Sequence, residues 1–269
     1  MPIGLAGSIL NSEDLLKAAG PAFEGFSYHS YGATSQRCAA MGPSSQTTAE
    51  AALSEEFLSR ASRIEAFYAA LRDKYEPGKP LWLTDTADAA CGRNPWASTF
   101  LDSFRYLDQL GRLAAKGVQV HIHNTLASSD YGLLDENTFA PRPKYWAALL
   151  WRKLMGTIVL DPGPSPALSL HLYAQCLRGI QGGVVLLAIN LDRAMSQSIN
   201  LPTPAERYTL NAQDLTDTRV QLNGSELGLG AHDELPELAG TPTQSGPVNF
   251  APTTLTFLAI PQAHNAACR

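Results

Sequence analysis

Asp85 follows the short apolar run Leu81–Leu83 and stands between Thr84 and Thr86, ahead of a small-residue loop and a long amphipathic stretch. In an α/β barrel the carboxyl ends of the strands form the reacting face, so a carboxylate there can serve as nucleophile or base. A second stretch, Phe26-Ser-Tyr-His-Ser-Tyr-Gly32, places His29 and Tyr31 two residues apart, on one face of a strand. A tyrosine hydroxyl beside a carboxylate holds its charge and tunes its acidity. On these residues alone the plainer reading, two half-buried polar groups at a strand end, is the stronger, because aromatic residues are common in strands.

His121-Ile-His123 puts two imidazoles on one strand face, a metal pair in outline. Zinc sites need three or four ligands and no third is evident nearby. The pair is therefore expected to form a polar layer inside a barrel, with Val118, Val120 and Ile122 facing the helices, and no metal is expected. No Gly-x-Ser-x-Gly elbow follows a strand, and Gly182-Gly183 sits in a hairpin context rather than a phosphate loop, so serine-hydrolase and nucleotide-binding chemistry are weak readings.

These groups need a scaffold, and 269 residues suffice for one large domain or a domain and a half. With 45% hydrophobic and 17% charged residues the chain can bury a core and is not of disordered composition. The net charge of -5, without a Lys/Arg cluster, offers no footprint for nucleic acid. No apolar run approaches the roughly 20 residues that span a bilayer. Residues 1–10 lack a positive leading segment, so no signal peptide is expected there. The four cysteines form no CxxC pair; they suit either two disulfides in an oxidising compartment or four separate thiols.

The pattern predicts helices over Ser12–Ala19 (opened by Asn11 or Ser12), Leu53–Lys74, Trp96–Lys116 and Tyr145–Met155. Strands are expected at Phe23–Tyr31, Leu81–Asp85, Val118–Asn124 and, briefly, Tyr131–Leu134. This βα rhythm implies a parallel sheet with right-handed crossovers. After Gly156 the helical period vanishes. Leu168–Gln175, Val184–Asn190, Ser196–Asn200, Tyr208–Asn211, Arg219–Leu222 and Thr253–Ile260 read as strands of an antiparallel sandwich. The expected domains are residues 1–158 and 159–269. The first supplies only about four βα units, whereas an eight-stranded barrel takes about 250 residues. It is either a small open sheet or the back half of a barrel.

The order of the motifs is more specific than any one of them. His-x-Tyr, then Trp-Leu-x-carboxylate-Thr, then Tyr131-Gly-Leu-Leu-Asp-Glu-Asn137, then Pro143-Lys-Tyr-Trp-Ala-Ala-Leu-Leu150 and Lys153-Leu-Met-Gly-Thr157 resembles the heparanase and β-glucuronidase family, glycoside hydrolase family 79. Ala188-Ile-Asn-Leu191, Val220-Gln-Leu-Asn-Gly224 and Ala266-Ala-Cys268 extend the resemblance across the second half. The resemblance implies an α/β plus all-β chain: the C-terminal half of a (β/α)8 barrel, about strands 5 to 8, followed by a β-sandwich.

It also implies a retaining glycosidase acting on uronic-acid glycans, without cofactor, using two carboxyl groups about 5–5.5 Å apart. The match puts Asp85 at the nucleophile position and Tyr31 against it. His29 and Asn124 fall where sugar hydroxyls are met. Tyr131, with the backbone amides of Ser129 and Asp130, matches the loop that receives the uronic carboxylate. Cys176 and Cys268 match the pair that staples the family's β-domain, and Cys38 and Cys91 would bridge two loops of one barrel face. The family's acid/base lies on an earlier strand in an Asn-Glu context, expected to precede these residues; Glu136 belongs to another motif.

The family nucleophile is Glu, and Asp is one methylene shorter; a misplacement of about 1 Å can cost on the order of 100-fold in rate. The chain alone is thus expected to be inactive, and a half-barrel from elsewhere is its expected partner. The alternative is a non-catalytic carbohydrate-binding or scaffold relic. The family and the cysteines together suggest a secreted or periplasmic protein.

Overall fold

The computed structural model describes residues 12–41 and 46–269. The leader reading of residues 1–10 and the Asn11 cap lie outside the described residues.

The first part runs α1 (Ser12–Ala19), β1 (Phe26–His29), β2 (Ala33–Thr34), α2 (Glu55–Leu58), α3 (Arg60–Tyr75), β3 (Leu81–Thr86), β4 (Ala89–Ala90), α4 (Phe100–Ala115), β5 (Val120–His123) and α5 (Pro143–Leu154). Strands β1, β3 and β5 pair in that order, all parallel, and β2 pairs with β4 just beyond the strand ends. The expected helix over 53–74 is two: Ser54 caps α2 by accepting from the Phe57 amide, and the chain restarts at Ser59. Phe26, Tyr28, Leu81 and Leu83 point to the helices and share a core with Leu16 and Leu113.

The expected strand at 131–134 does not form. Only an isolated bridge, Leu134 to Pro141, occurs there. Residues 125–142 instead fold on themselves: Leu133 donates to the Thr125 carbonyl, Leu134 to Leu126 and Arg142 to Leu133. These local bonds occupy the groups a sheet ladder would use.

The second part holds β6 (Met155–Leu160), β7 (Leu170–Leu177), β8 (Val184–Asn190), β9 (Gln197–Leu201), β10 (Ala205–Asn211), β11 (Gln221–Leu222), β12 (Ser225–Glu226), β13 (Thr241–Thr243), β14 (Gly246–Phe250) and β15 (Thr254–Ile260). An antiparallel sheet orders them β12-β11-β10-β15-β8-β7-β6, with β13 also on β10, while β9 and β14 form a separate ribbon. Helix α5 passes into β6 without a linker, so the change of texture at Gly156 falls inside a strand.

Strand β15 is buried along its whole length because both faces are covered. Leu255, Phe257 and Ala259 pack toward Phe104, Leu107, Trp146 and Leu150 of α4 and α5. Leu258 and Ile260 meet Leu201, Val248 and Phe250 of the β9–β14 ribbon. The period-two alternation thus serves two cores at once.

Helix α4 is the shared element, with twelve of its sixteen residues buried. Its first amides, Phe100 and Leu101, donate to the carbonyls of Asp217 and Leu215, each at 2.8 Å, so the β-domain caps the helix that would otherwise leave those donors unmet. Asp108 accepts from His171 Nδ1 and Tyr173 Oη of β7, both at 2.6 Å, and pairs with Arg112 at 2.5 Å, which also reaches Glu55. Burial would raise the Asp108 carboxyl, but His171, Arg112 and Tyr173 together hold it below the usual range.

Gly111 gives the Tyr173 ring its place against α4, since a Cβ there would overlap the ring. Tyr173 cannot retreat without releasing Asp108. Alanine in a helix interior normally gains about 1 kcal/mol over glycine. Here Gly111→Ala is expected instead to destabilise the chain by roughly 1–3 kcal/mol through overpacking. Denaturant midpoints of the two proteins check this, and a higher midpoint for the variant would show that Tyr173 is not pinned.

Candidate active site

Strict alternation along β3 would send residue 85 to the helix side with Leu81 and Leu83. The pairing shifts register between Leu83 and Thr86 against β5, and between Tyr28 and His29 against β1. A bulge of this kind re-aims the next side chain. Thr86 takes the buried side, where Gln109 Nε2 of α4 donates to its Oγ1 at 3.1 Å. Asp85 thereby turns to the open face, with 27% of its side chain exposed.

Four of the sequence-derived residues meet there. Tyr31 Oη donates across the Asp85 carboxylate, 3.0 Å from each oxygen. Asn124 Nδ2 donates to Tyr31 Oη at 3.0 Å. That bond directs the tyrosine's own proton toward Asp85. His29 Nδ1 lies 3.5 Å from Asp85 Oδ2 and is largely exposed. Burial, reinforced by the Asp85 carboxylate and opposed by Asn124, pushes the Tyr31 hydroxyl up to about 12, so it remains a donor at neutral pH.

Ser129, Asp130 and Tyr131 form a separate wall. Arg142 Nη1 gathers the carbonyls of Ser129 and Asp130 at 2.8 and 2.6 Å, and its Nη2 pairs with Asp135 at 3.1 Å. His123 Nε2 meets the Tyr131 carbonyl at 2.8 Å, so Nε2 carries the proton. At Gly92, with φ +61, a Cβ would come within 3.2 Å of side-chain atoms of all three residues of the wall. Its neighbour Cys91 is bonded to Cys38, tying the loops that follow β1 and β3; the second disulfide joins Cys176 and Cys268. Tyr131 is close enough to Tyr31 to act on its titration. The Ser129 amide, expected to be open to a ligand, donates to Glu136 Oε2 at 3.0 Å. Neither Glu136 nor Arg142 carries a sequence signal for this role, since both act on backbone groups of a loop.

The histidine pair of β5 faces the other way from expectation. Both rings lie edge-to-face on Tyr106 of α4, at 6.1 Å for His121 and 5.4 Å for His123, while Ile122 is exposed. His121 pairs with Leu83, which also points to the helices, so the imidazoles enter a buried polar layer rather than the open side. There Asp102 accepts from Arg105 and Lys144 at 2.6 Å each, and Asp88 accepts from Asn94 at 2.6 Å. Burial alone would raise the Asp102 carboxyl; the two cations more than reverse that and hold it well below its ordinary range. Both ring nitrogens of His121 are shielded and lack a hydrogen-bonding side-chain partner.

Clefts of about 510 Å³ and 330 Å³ lie away from Asp85, the first on the β-domain around Leu172, Leu186 and Ile199, the second around Thr34, Ser35 and Thr48. Neither contains the residues whose chemistry converges, so volume does not locate this site. Among the described residues no group of three or more metal-ligating side chains occurs.

The chain is similar to known proteins over most of its length. The chain is 31% identical over 215 residues to a hyaluronoglucuronidase of Hirudo nipponia, covering 74% of this chain and 44% of that protein. It is 30% identical over 235 residues to heparanase-like protein 1 of Arabidopsis thaliana, covering 72% and 43%. The chain therefore spans less than half the length of these relatives. Among solved structures, an α-L-arabinofuranosidase of Thermotoga maritima superposes with a TM-score of 0.65 at 13% identity, over 93% of this chain and 55% of that one. That likeness shows the fold: part of a TIM barrel followed by a β-domain. No protein-family model matches the chain.

The buried imidazoles carry a pH signature. Burial, then the charge of Arg105, lowers His121 to about 4; burial, then Lys144 and Arg105, lowers His123 to about 3. The unfolded chain takes up these protons near pH 6.5, which the folded chain refuses until pH 4 or below. Stability is therefore full above about pH 6.5 and falls as pH drops through that window. Asp88, raised to about 6 by burial and by Asp102, works in the opposite sense below pH 6. A His121→Gln variant isolates one contribution. Its stability relative to the parent is expected to rise by on the order of 2 kcal/mol between pH 7 and pH 5. Urea titrations at the two values measure it, and a pH-independent difference would place the His121 ring in contact with water.

Proposed function

Because the chain belongs to the heparanase and β-glucuronidase family, glycoside hydrolase family 79, we propose that it carries the nucleophile side of a retaining glycosidase acting on uronic-acid glycosides. The observation that supports this most is Asp85 at a parallel-strand end, held by Tyr31 under the direction of Asn124. In a retaining mechanism the first carboxylate attacks the anomeric carbon as the leaving oxygen takes a proton from the second; water then releases the glycosyl-enzyme. Tyr31 spans both oxygens of Asp85 and fixes its plane. Asn124 and His29 stand beside it for sugar hydroxyls, and the Ser129–Tyr131 wall flanks the position of the ring's carboxylate. No cofactor takes part in this chemistry.

The second carboxyl group is assigned to a half-barrel outside these 269 residues. Among the described residues Asp85 is the only carboxylate bonded into the Tyr31–Asn124 cluster. The exposed Ile122 on β5 is the kind of surface such a partner would cover. The two disulfides suit an oxidising compartment, and a secreted or periplasmic place is proposed with them. Among the described residues no helix is long and apolar enough to cross a membrane.

A second reading, a carbohydrate-binding or scaffold protein of the same fold, is favoured by one feature: Asp85 lies flat on Tyr31 with neither oxygen free of it. The aspartate's short arm leaves little reach toward a sugar.

The purified chain is expected to release nothing from an aryl β-glucuronide, and robust turnover would overturn the split site. Supplied with the acid/base half-barrel of the leech relative, it is expected to turn over. Asp85→Glu should raise that rate by on the order of 100-fold, and Asp85→Asn should abolish it. Equal rates for the two variants would remove Asp85 from the nucleophile role, leaving the binding reading.

A further inference from the structure

We propose that Glu136 is a built-in occupant of the seat for the substrate's carboxylate, so that a uronic acid enters only by displacing it; this rests on the uronate reading above. The Ser129 amide is the donor that faces an anion, and a carboxylate is already on it, Glu136 Oε2 at 3.0 Å. The donor is rigidly presented. Ser129 stands at φ +77, in the left-handed region that favours glycine, and Arg142 holds its carbonyl from behind at 2.8 Å. A side chain at position 92 would crowd Ser129 Oγ, which Gly92 avoids, and Ser129 Oγ is turned away onto Asp130 Oδ1 at 2.8 Å. The loop is therefore fixed by groups other than Glu136, and its amide would keep its aim if Glu136 left.

Glu136 is fixed only by this bond. Its neighbour Asp135 is committed to the turn: its carboxylate accepts from the Asn137 and Thr138 amides at 3.0 Å each and pairs with Arg142. Those amide bonds, then Arg142, lower Asp135 to about 2. Arg142, the cation of this wall, is thus spent on Asp135 and on carbonyl groups, which leaves no neutralising charge on Glu136. A glucuronate arriving at Ser129 meets one carboxylate in place and a second, Asp130, beside it. Exchange of one carboxylate for another returns little free energy, and the like charge opposes the approach. A neutral sugar, which does not use this donor, is unaffected. Glu136 is on this account a specificity-determining residue that weakens uronate relative to neutral pyranoside.

The test uses the full 269-residue chain and needs no turnover. Isotope-labelled parent, Glu136→Gln and Glu136→Ala are titrated with methyl β-D-glucuronide and with methyl β-D-glucoside, following the Ser129 amide resonance. Glu136→Ala is expected to bind the glucuronide about tenfold more tightly, because a charge-assisted bond no longer has to be broken first. Glu136→Gln, which keeps the shape and loses the charge, is expected between the two. Affinity for the glucoside should not change, and the Ser129 resonance should move in the apo variants and again with glucuronide. Equal glucuronide affinity in all three proteins would overturn the role of Glu136 and leave the uronate reading standing. Glucoside bound in all three with no glucuronide bound in any would overturn the uronate reading, and this inference with it.

Discussion

Helix α4 is enclosed on nearly every side, and the rest of the chain is arranged around that enclosure. A helix between two sheets has no solvent face on which to place polar residues, yet α4 carries Asp102, Arg105, Asp108 and Gln109, all buried. An unpaired buried charge is costly, and breaking a buried pair costs about 3–5 kcal/mol. Arg105 is matched within the helix by Asp102 and Gln109, and each of the other three also by a partner from a different element: Asp102 by Lys144 of α5, Asp108 by His171 and Tyr173 of β7, Gln109 by Thr86 of β3. Paired polar groups demand one geometry, where apolar packing tolerates several. The relative placement of the two sheets is set by these contacts more sharply than by the shared leucine and phenylalanine core.

That geometry reaches Asp85 through Thr86. Thr86 is drawn to the buried side by Gln109, and the bulge this requires turns Asp85 outward. The carboxylate is thus exposed because its neighbour is buried. Tyr31 and Asn124 come from the ends of the flanking strands, so the parallel order β1-β3-β5 puts one contributor on each side of Asp85. The Ser129–Tyr131 segment is braced by Arg142 and His123 through its carbonyls. Rigid elements supply the carboxylate and braced loops supply the flanks, which is how scaffolded sites gain precision.

The helix Ser12–Ala19 and the strand Val184–Asn190 were legible because each depends on local pattern, whereas the pairing of Tyr31 with Asp85 was implied only by the family resemblance, the local pattern alone favouring two half-buried polar groups. The face of the β5 histidines was not legible. Alternation puts both imidazoles on one face of β5, opposite Ile122, as found, but does not say which face meets a helix; Tyr106 of α4 decides that. The strand expected at 131–134 failed for a related reason: its apolar residues are those of a strand, but Arg142 and the local carbonyls satisfy its backbone first. Strand β6 was passed over because its outward residues, Ile158 and Val159, are exposed, so Met155–Leu160 shows no clean alternation. Helix α4 hid its polar partners because charged residues on a helix ordinarily mark the wet face.

On the proposed reading, Asp85 at the nucleophile position and the occupied Ser129 amide are two instances of one physical tendency. Asp85 is short enough to lie flat against Tyr31, and Glu136 is long enough to reach back to Ser129. In each case a group suited to grip or attack a ligand is satisfied by the protein itself. An active site ordinarily leaves such groups partly unmet, since a donor or nucleophile already bonded must first be released, and that release adds to the barrier. Self-satisfaction stabilises the free chain and penalises the complex. On that reading the chemistry of the cluster is governed less by which residues are present than by what must be displaced before they can act.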